Sequence, residues 1–526
     1  MKTSEQQWYD LFHAKATRRD FLRVGGSVAG LVALGGVGCS RGDDALRRTP
    51  VDPFPHGIAS GDPGPDSVVL WTRLAPEAVE ASGGPATDVS LAYEIASSES
   101  FSKIVATGSI VAPAVLGHSA HAEVGGLEPD REYFYRWIAG GEASLIGRTR
   151  TAPLPDADID RFRFAFASCQ QYEHGFYTAY RHMAEENLDL IVHLGDYIYE
   201  TSWGSDLVRH HEGPEIVTLD DYRARYTTYR SDPDLQAAHA SAPWVVTWDD
   251  HEVDNNYAAG IPEDDQPLDG FALRRAAAYQ AFYEFMPLRR SAMPLGPNMG
   301  LYRALRFGKL LDMSVLDTRQ YRDDQPCGDR RGECAERHAS GRTLLGDEQR
   351  NWLLERMASA DATWNVLAQQ IVMAEVNSGS DGEDSFSMDA WDGYPHERRE
   401  LLETIKRTGT PGPVVLTGDT HSNWASELKT DFASISSAPI GTEFAGTSIS
   451  SGGNGRETTS WGAAALSNNP HIKFHNGQRG YVTATLTPES WTSDYRVVPV
   501  ITEPDGEVET KARFVVRTGS AGIERG

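Results

Sequence analysis

Apolar and polar residues alternate along a series of short early segments, 67–73, 88–95, 103–111, 121–124, 132–139 and 144–151, punctuated by Gly and Pro. Alternation with period two turns one face of each segment inward, so this stretch predicts a small all-β sandwich. Beyond a linker at 152–160 the pattern changes. Apolar runs at 162–167, 190–194, 244–247, 310–316, 363–368 and 414–416 predict strands, and helical periodicity marks 175–186, 273–285, 346–358 and 397–407. Strands alternating with helices predict an α/β layer architecture, whose ligand sites sit at the carboxyl ends of strands. Late in the chain, 480–486 and 490–497 predict a hairpin across Thr487-Pro488-Glu489, where Pro488 fixes its own backbone angle.

A length of 526 residues exceeds what one domain usually holds. The composition shifts divide it into a leader and linker (1–48), a β-sandwich domain (51–152) and a catalytic domain (160–520). Hydrophobic residues at 40% and charged residues at 24% are ordinary for a globular protein. The formal charge of -26 repels the phosphate backbone of nucleic acids, which are not expected as stable partners. No apolar run beyond the N-terminus approaches the ~20 residues needed to span a bilayer, so the mature chain is expected to be soluble.

The leader has its own pattern. Thr17-Arg18-Arg19-Asp20-Phe21-Leu22-Arg23 precedes an apolar, Gly-rich stretch at 24–38, the arrangement of a twin-arginine export signal. It implies the twin-arginine machinery as a partner and a periplasmic or secreted location, with a lipid anchor at Cys39 as an alternative fate. Cys327 and Cys334 lie in the polar segment PCGDRRGEC and would form a small-loop disulfide in an oxidising compartment. Cys169 is left without a partner.

The chemistry gathers where apolar strands end. The strand at 190–194 runs into Gly195-Asp196-Tyr197-Ile198-Tyr199, placing a carboxylate and a phenol three residues apart. The strand at 244–247 leads into Asp249-Asp250-His251-Glu252, a charge density that is costly to hold beside Trp244 and Trp248 unless cations or hydrogen bonds neutralise it. The strand at 414–416 enters Asp419-Thr420-His421, and the strand at 162–167 ends beside Cys169. Separate structural explanations for four such strand ends are jointly improbable, and a shared metal centre accounts for all of them.

FASCQ, HLGDYIYE, TWDDHEVDNN, LDTRQYR and TGDTHSN, with the earlier GIASGDP and VVLWTRL, resemble the alkaline phosphatase D (PhoD-type) family in order and across nearly the whole mature chain. The resemblance implies an N-terminal β-sandwich followed by a metallophosphoesterase-like α/β/β/α domain, with a ferric ion and calcium as cofactors. It carries Cys169, Asp196 and Tyr199 onto the ferric site with His421 completing it. Asp196 would bridge to a second metal, and Asp250 and Asp419 stand where purple acid phosphatases usually place Asn and His, a change that favours Ca²⁺.

Hydrolysis of phosphate esters at alkaline pH is the expected reaction, with His251 placed to donate a proton to the leaving group, a metal-ligand or structural role being the alternative. Arg319, in LDTRQYR, would either meet the phosphate or pair with Asp317. Glu252 and Asp254 are supporting or additional calcium candidates. Two rivals remain: a dedicated phosphodiesterase of phospholipids or wall polymers, and a calcium-stabilised surface binding protein whose sandwich makes the contacts.

Overall fold

A computed structural model describes residues 52–526 other than 264, 265 and 381, so the twin-arginine segment and Cys39 lie outside the described residues. The N-terminal unit contains β1 (Ile58–Gly61), β2 (Val68–Arg73), β3 (Val89–Ala96), β4 (Ile104–Ala112), β5 (Ser119–Val124), β6 (Glu132–Ala139), β7 (Glu142–Ala143) and β8 (Gly147–Arg150). One layer is ordered β4-β3-β6 with β7 and β8 pairing β6. The other is β5-β2-β1, and Val68, Leu70, Ala120 and Ala122 from it pack against Leu91, Ile95, Tyr135 and Trp137 from the first. The alternation in the sequence thus buries one face of each layer.

That second layer does not stop at the domain's edge. β1 pairs in parallel with β11 (Pro243–Val246), which pairs with β10 (Leu190–His193), which pairs with β9 (Phe162–Ala167). A second sheet is built from β12 (Arg303–Phe307), β13 (Leu311–Val315), β14 (Trp364–Ala368), β15 (Pro413–Thr417), β16 (Asn423–Leu428) and β17 (Gly441–Ala445), with β13, β14, β15 and β17 parallel. The short β18 (Gly455–Arg456) leads to the long β19 (Ile472–Leu486), whose first half pairs β16 and whose second half pairs β9. One strand therefore belongs to both sheets. The hairpin partner of β19, β20 (Ser490–Val498), and then β21 (Glu509–Arg517) complete the first sheet.

The sheets face each other across a core of Phe164, Phe166, Val192 and Val245 from one and Met313, Val315, Val366 and Leu416 from the other. Outside the first sheet lie α1 (Thr178–Glu185), α2 (Leu219–Arg230), α3 (Pro233–Ser241) and α4 (Phe271–Phe285), packed on Ala165, Ile191 and Trp244. Outside the second lie α5 (Gly346–Ala358) and α6 (Pro395–Thr408), packed on Leu316, Leu367 and Val415. Residues along each strand alternate between the inter-sheet core and a helical layer, which explains their nearly unbroken apolar sequences. The result is an α/β/β/α sandwich, with parallel strands of both sheets ending at one edge.

Candidate metal centre

Each of these strands gives way to a sharp turn. Cys169, Asp196, Asp419 and His421 all lie in the left-handed region, with φ of 59°, 57°, 59° and 50°. Non-glycine residues hold that conformation at an energetic cost, which Asp and His tolerate better than Cys. Gly195, at φ 109°, lets two turns touch, since a Cβ there would lie 2.5 Å from Cβ of Asp249. The loops after β10 and β11 are consequently pressed together.

Three groups of ligand atoms result, each within 4.8 Å: Cys169, Asp196 and His421; Asp196, Asp250 and His251; and Asp249, Asp250 and Asp419. Asp196 belongs to the first two and Asp250 to the last two, so the groups form one connected centre. The Tyr199 hydroxyl joins the first group, donating to Asp196 Oδ2 at 2.9 Å and lying 3.2 Å from His421 Nε2. Ser451 Oγ donates to it at 2.7 Å. The six residues expected as ligands, Cys169, Asp196, Tyr199, Asp250, Asp419 and His421, are all in this centre.

Its electrostatics favour a cation. Asp196 Oδ1, Asp249 Oδ2 and Asp250 Oδ1 are buried without a hydrogen-bond donor. Burial, with neighbouring carboxylates adding to it, holds the Asp196 and Asp249 carboxyls well above their usual range, although His251 and Arg319 pull the other way; Asp419 is pushed to about 7. Burial followed by the nearby carboxylates also raises Cys169, while burial, Asp196 and Cys169 raise Tyr199. His421 is lowered to about 3 by burial and Arg479, leaving a neutral ring with a free lone pair. Asp250 differs, since Arg319 and His251 outweigh burial and hold its carboxyl below the usual range. A cation offsets the penalty on the raised donors, and thiolate, phenolate, carboxylate and imidazole together suit a transition metal beside an oxygen-ligated one. The residues present fit a metal centre.

Several supporting side chains come from distant parts of the chain. Glu252 accepts from the backbone N–H groups of Asp196 (3.1 Å), Tyr197 (2.5 Å) and Asp249 (2.7 Å), clamping the two loops; burial pushes its carboxyl up to about 8. Asp254 faces away, accepting from Glu263 N at 3.0 Å and pairing with Arg274 at 3.0 Å. Neither is therefore a calcium candidate in this geometry. His251 Nδ1 lies 2.7 Å from Glu200 Oε2, leaving Nε2 as its other functional nitrogen. Burial opposes charge on the ring, but Glu200, Asp250 and Asp196 outweigh it and raise His251 well above its usual range.

Arg319 departs from both sequence expectations. It is fully buried, and its guanidinium donates to Asp249 Oδ1 at 2.5 Å and to both oxygens of Asp389 at 2.7 and 2.9 Å. Asp317 meets only its backbone N–H, at 3.0 Å. Its Nη2 also lies 3.5 Å from Asp250 Oδ1, so the fork is filled by carboxylates and braces Asp249, Asp250 and Asp389 in place of facing a substrate. Arg479 Nη1 anchors the His421 carbonyl at 2.6 Å, and Trp203, 37% exposed, stacks on the His421 ring at 6.2 Å. Glu200, Asp389, Ser451, Arg479 and Trp203 were not picked out in the sequence. The acidic Glu200, closing HLGDYIYE, was the most accessible signal.

A carboxylate-rich centre at the strand ends of two stacked sheets, with an imidazole beside it, defines a metallophosphoesterase-type hydrolase. Residues 164–495 match the PhoD-like phosphatase family, and residues 40–153 match the PhoD-like phosphatase N-terminal domain. The chain is 50% identical over 517 residues to alkaline phosphatase D of Bacillus subtilis (strain 168), covering 97% of this chain and 89% of that protein. The solved structure of PhoD superposes with a TM-score of 0.88 at 52% identity, covering 91% of this chain and 93% of that one. The chain belongs to the PhoD-like phosphatase family. It is a phosphoric ester hydrolase, and the ligand groups at its strand ends are candidates for holding metal.

Proposed function

We propose that this enzyme is an exported alkaline phosphatase and phosphodiesterase loaded with Fe³⁺ and Ca²⁺. The observation that carries the reading is the overlap of the three ligand groups, with sulfur and phenol at one end and carboxylates alone at the other. Cys169, Asp196, Tyr199 and His421 would hold the ferric ion, and Asp250 and Asp419, with Asp196 between, would hold calcium, whose preference is for oxygen. When bound, the cations supply positive charge to the phosphoryl oxygens and acidify the attacking water.

The protein's own groups do the rest. Asp249, fixed by Arg319, and Glu252, fixed by three backbone donors, keep the ligand loops at constant spacing, which limits reorganisation during reaction. His251, oriented through Nδ1 by Glu200, presents Nε2 as the proton donor to the departing alkoxide. Against the opposing effect of burial, Glu200, followed by Asp250 and Asp196, favours the protonated ring, which is the form a proton donor requires.

Export through the twin-arginine machinery, to the periplasm or outside, is supported by the sequence at 17–23. The Cys327–Cys334 disulfide, with its Cα atoms 6.7 Å apart, suits an oxidising compartment. Among the described residues no helix is long and apolar enough to cross a membrane. Metal analysis of the purified enzyme, combined with chelation and a panel of phosphomonoesters, phosphodiesters and phospholipids, tests the reading. Full activity in metal-free Cys169→Ala protein would end it, and exclusive turnover of diesters would favour the dedicated phosphodiesterase.

A further inference from the structure

The connection from β13 to α5 supplies none of the candidate ligands, yet one of its turns reaches the metal centre through a single residue. Asp250 Oδ2 accepts from the Asn256 backbone N–H at 2.7 Å, leaving Oδ1, which makes no hydrogen bond, among the ligand groups. The direction in which Asp250 presents that oxygen therefore depends on where Asn256 is held. Asn256 sits in the left-handed region at φ 50°, and one short segment grips it twice. Its Nδ2 donates to Asp329 Oδ2 at 2.5 Å, and its carbonyl accepts from Gln325 Nε2 at 2.7 Å.

That segment has an uncommon shape. Cys327, Gly328 and Asp329 are successive residues at positive φ, 59°, 60° and 54°, a region that glycine alone enters freely. The Cys327–Cys334 disulfide closes the turn into a small ring, which limits the shapes open to it. Glu336 Oε2 accepts from the Cys327 N–H at 2.9 Å, and the Gly332 N–H donates to the Phe386 carbonyl at 3.2 Å, tying down the far side. What the turn delivers is the Asp329 carboxylate. Burial and the neighbouring Asp389 push it up to about 6, although Asn256, Arg319 and Arg322 pull the other way, so Asp329 is brought to Asn256 at some electrostatic cost.

We propose that Asp329 is a positioning residue for the oxygen-ligated cation: through Asn256 it fixes the Asp250 carboxylate, and the disulfide-closed turn keeps it within reach. This role rests on calcium being held by Asp250 and Asp419. Cys169 and Tyr199 stand on the separate loops after β9 and β10, so loss of the brace falls on calcium and spares iron.

Calorimetric titration of calcium into purified, iron-loaded enzyme, stripped of calcium by a selective chelator, provides the test, with iron measured on each sample. Glycine is the replacement of choice because both positions are left-handed. Asp329→Gly should weaken calcium binding about tenfold or more, the loss expected when a group that orients a metal ligand is removed. Asp329→Asn keeps an oxygen that accepts from Asn256 Nδ2 and should stay within about threefold of the unsubstituted enzyme. Asn256→Gly retains the backbone N–H and loses only the amide; it should match Asp329→Gly, and the two combined should add little, since both break one contact. Replacing Cys327 and Cys334 together by Ser should weaken calcium in the same direction, with iron content unchanged throughout. Unaltered calcium affinity in both glycine variants overturns the proposal, as does equal weakening by Asp329→Gly and Asp329→Asn. An unsubstituted enzyme that holds iron but takes up no calcium would overturn the assignment of calcium to Asp250, and the role of Asp329 with it.

Discussion

Replacing Arg319 by Met separates a charge that fixes carboxylates from one that grips substrate. The guanidinium contacts Asp249, Asp250 and Asp389, all buried. Asp389 keeps Arg322, 3.0 Å away, and Gln325, but Asp249 loses its counter-ion. Removing one partner from a buried pair costs about 3–5 kcal/mol because the other charge is stranded. For a cooperative unit of roughly 300 residues, at about 2.1 cal/mol/K per residue, a loss of about 4 kcal/mol lowers the unfolding midpoint by about 6 °C. The loss should be largest in chelator-treated enzyme, because bound cations neutralise Asp249 and Asp250 independently of Arg319. Scanning calorimetry with and without chelator measures it, beside steady-state kinetics on a phosphomonoester. KM should stay within about threefold, since the residue removes no substrate contact. An unchanged midpoint together with a KM raised more than about tenfold would show that Arg319 meets phosphate directly and would refute this reasoning.

His251→Ala should lower kcat by about 10²–10⁴ for an alkyl phosphate and much less for an ester with an acidic leaving group, measured by comparing the two substrates. A donor must be protonated, so activity falls as pH rises through the His251 pKa; Glu200→Gln removes the largest raising influence and should move that descent to lower pH in a kcat profile. Tyr199→Phe and Cys169→Ser should each lose iron and any phenolate-to-iron visible absorption, as read by metal analysis and spectrophotometry. Replacing Cys327 and Cys334 together by Ser opens a small loop and should cost about 2.5 kcal/mol in a thermal melt, while loosening Asp329 from Asn256, which it now meets at 2.5 Å.

What was legible in the sequence was whatever is local. Cys169, Asp196, Asp419 and His421 could be read because each follows directly on an apolar strand, and parallel strands bring their ends together. The Arg319–Asp389 and His251–Glu200 pairs span 70 and 51 residues, and nothing in the local pattern couples their members. Helix α2 was missed for another reason: its buried face is Tyr222, Arg225, Tyr226, Tyr229 and Arg230, which hydropathy reads as polar. Its start was nonetheless written in the capping box formed by Thr218 and Asp221. Likewise, alternation in 67–73 and 121–124 reports a half-buried sheet but does not say that the sheet continues into another domain.

That continuity bears on how the chain assembles itself. Ser60 pairs with Pro243, roughly 180 residues later, so a strand among the first to leave the ribosome must wait for its parallel neighbour. Until then β1 has an open edge, and β11, whose following loop carries Asp249 and Asp250, lacks its flanking template. A chain begun after residue 153 would keep every cation ligand yet present the unpaired side of β11 to its neighbours, inviting self-association in place of a finished enzyme.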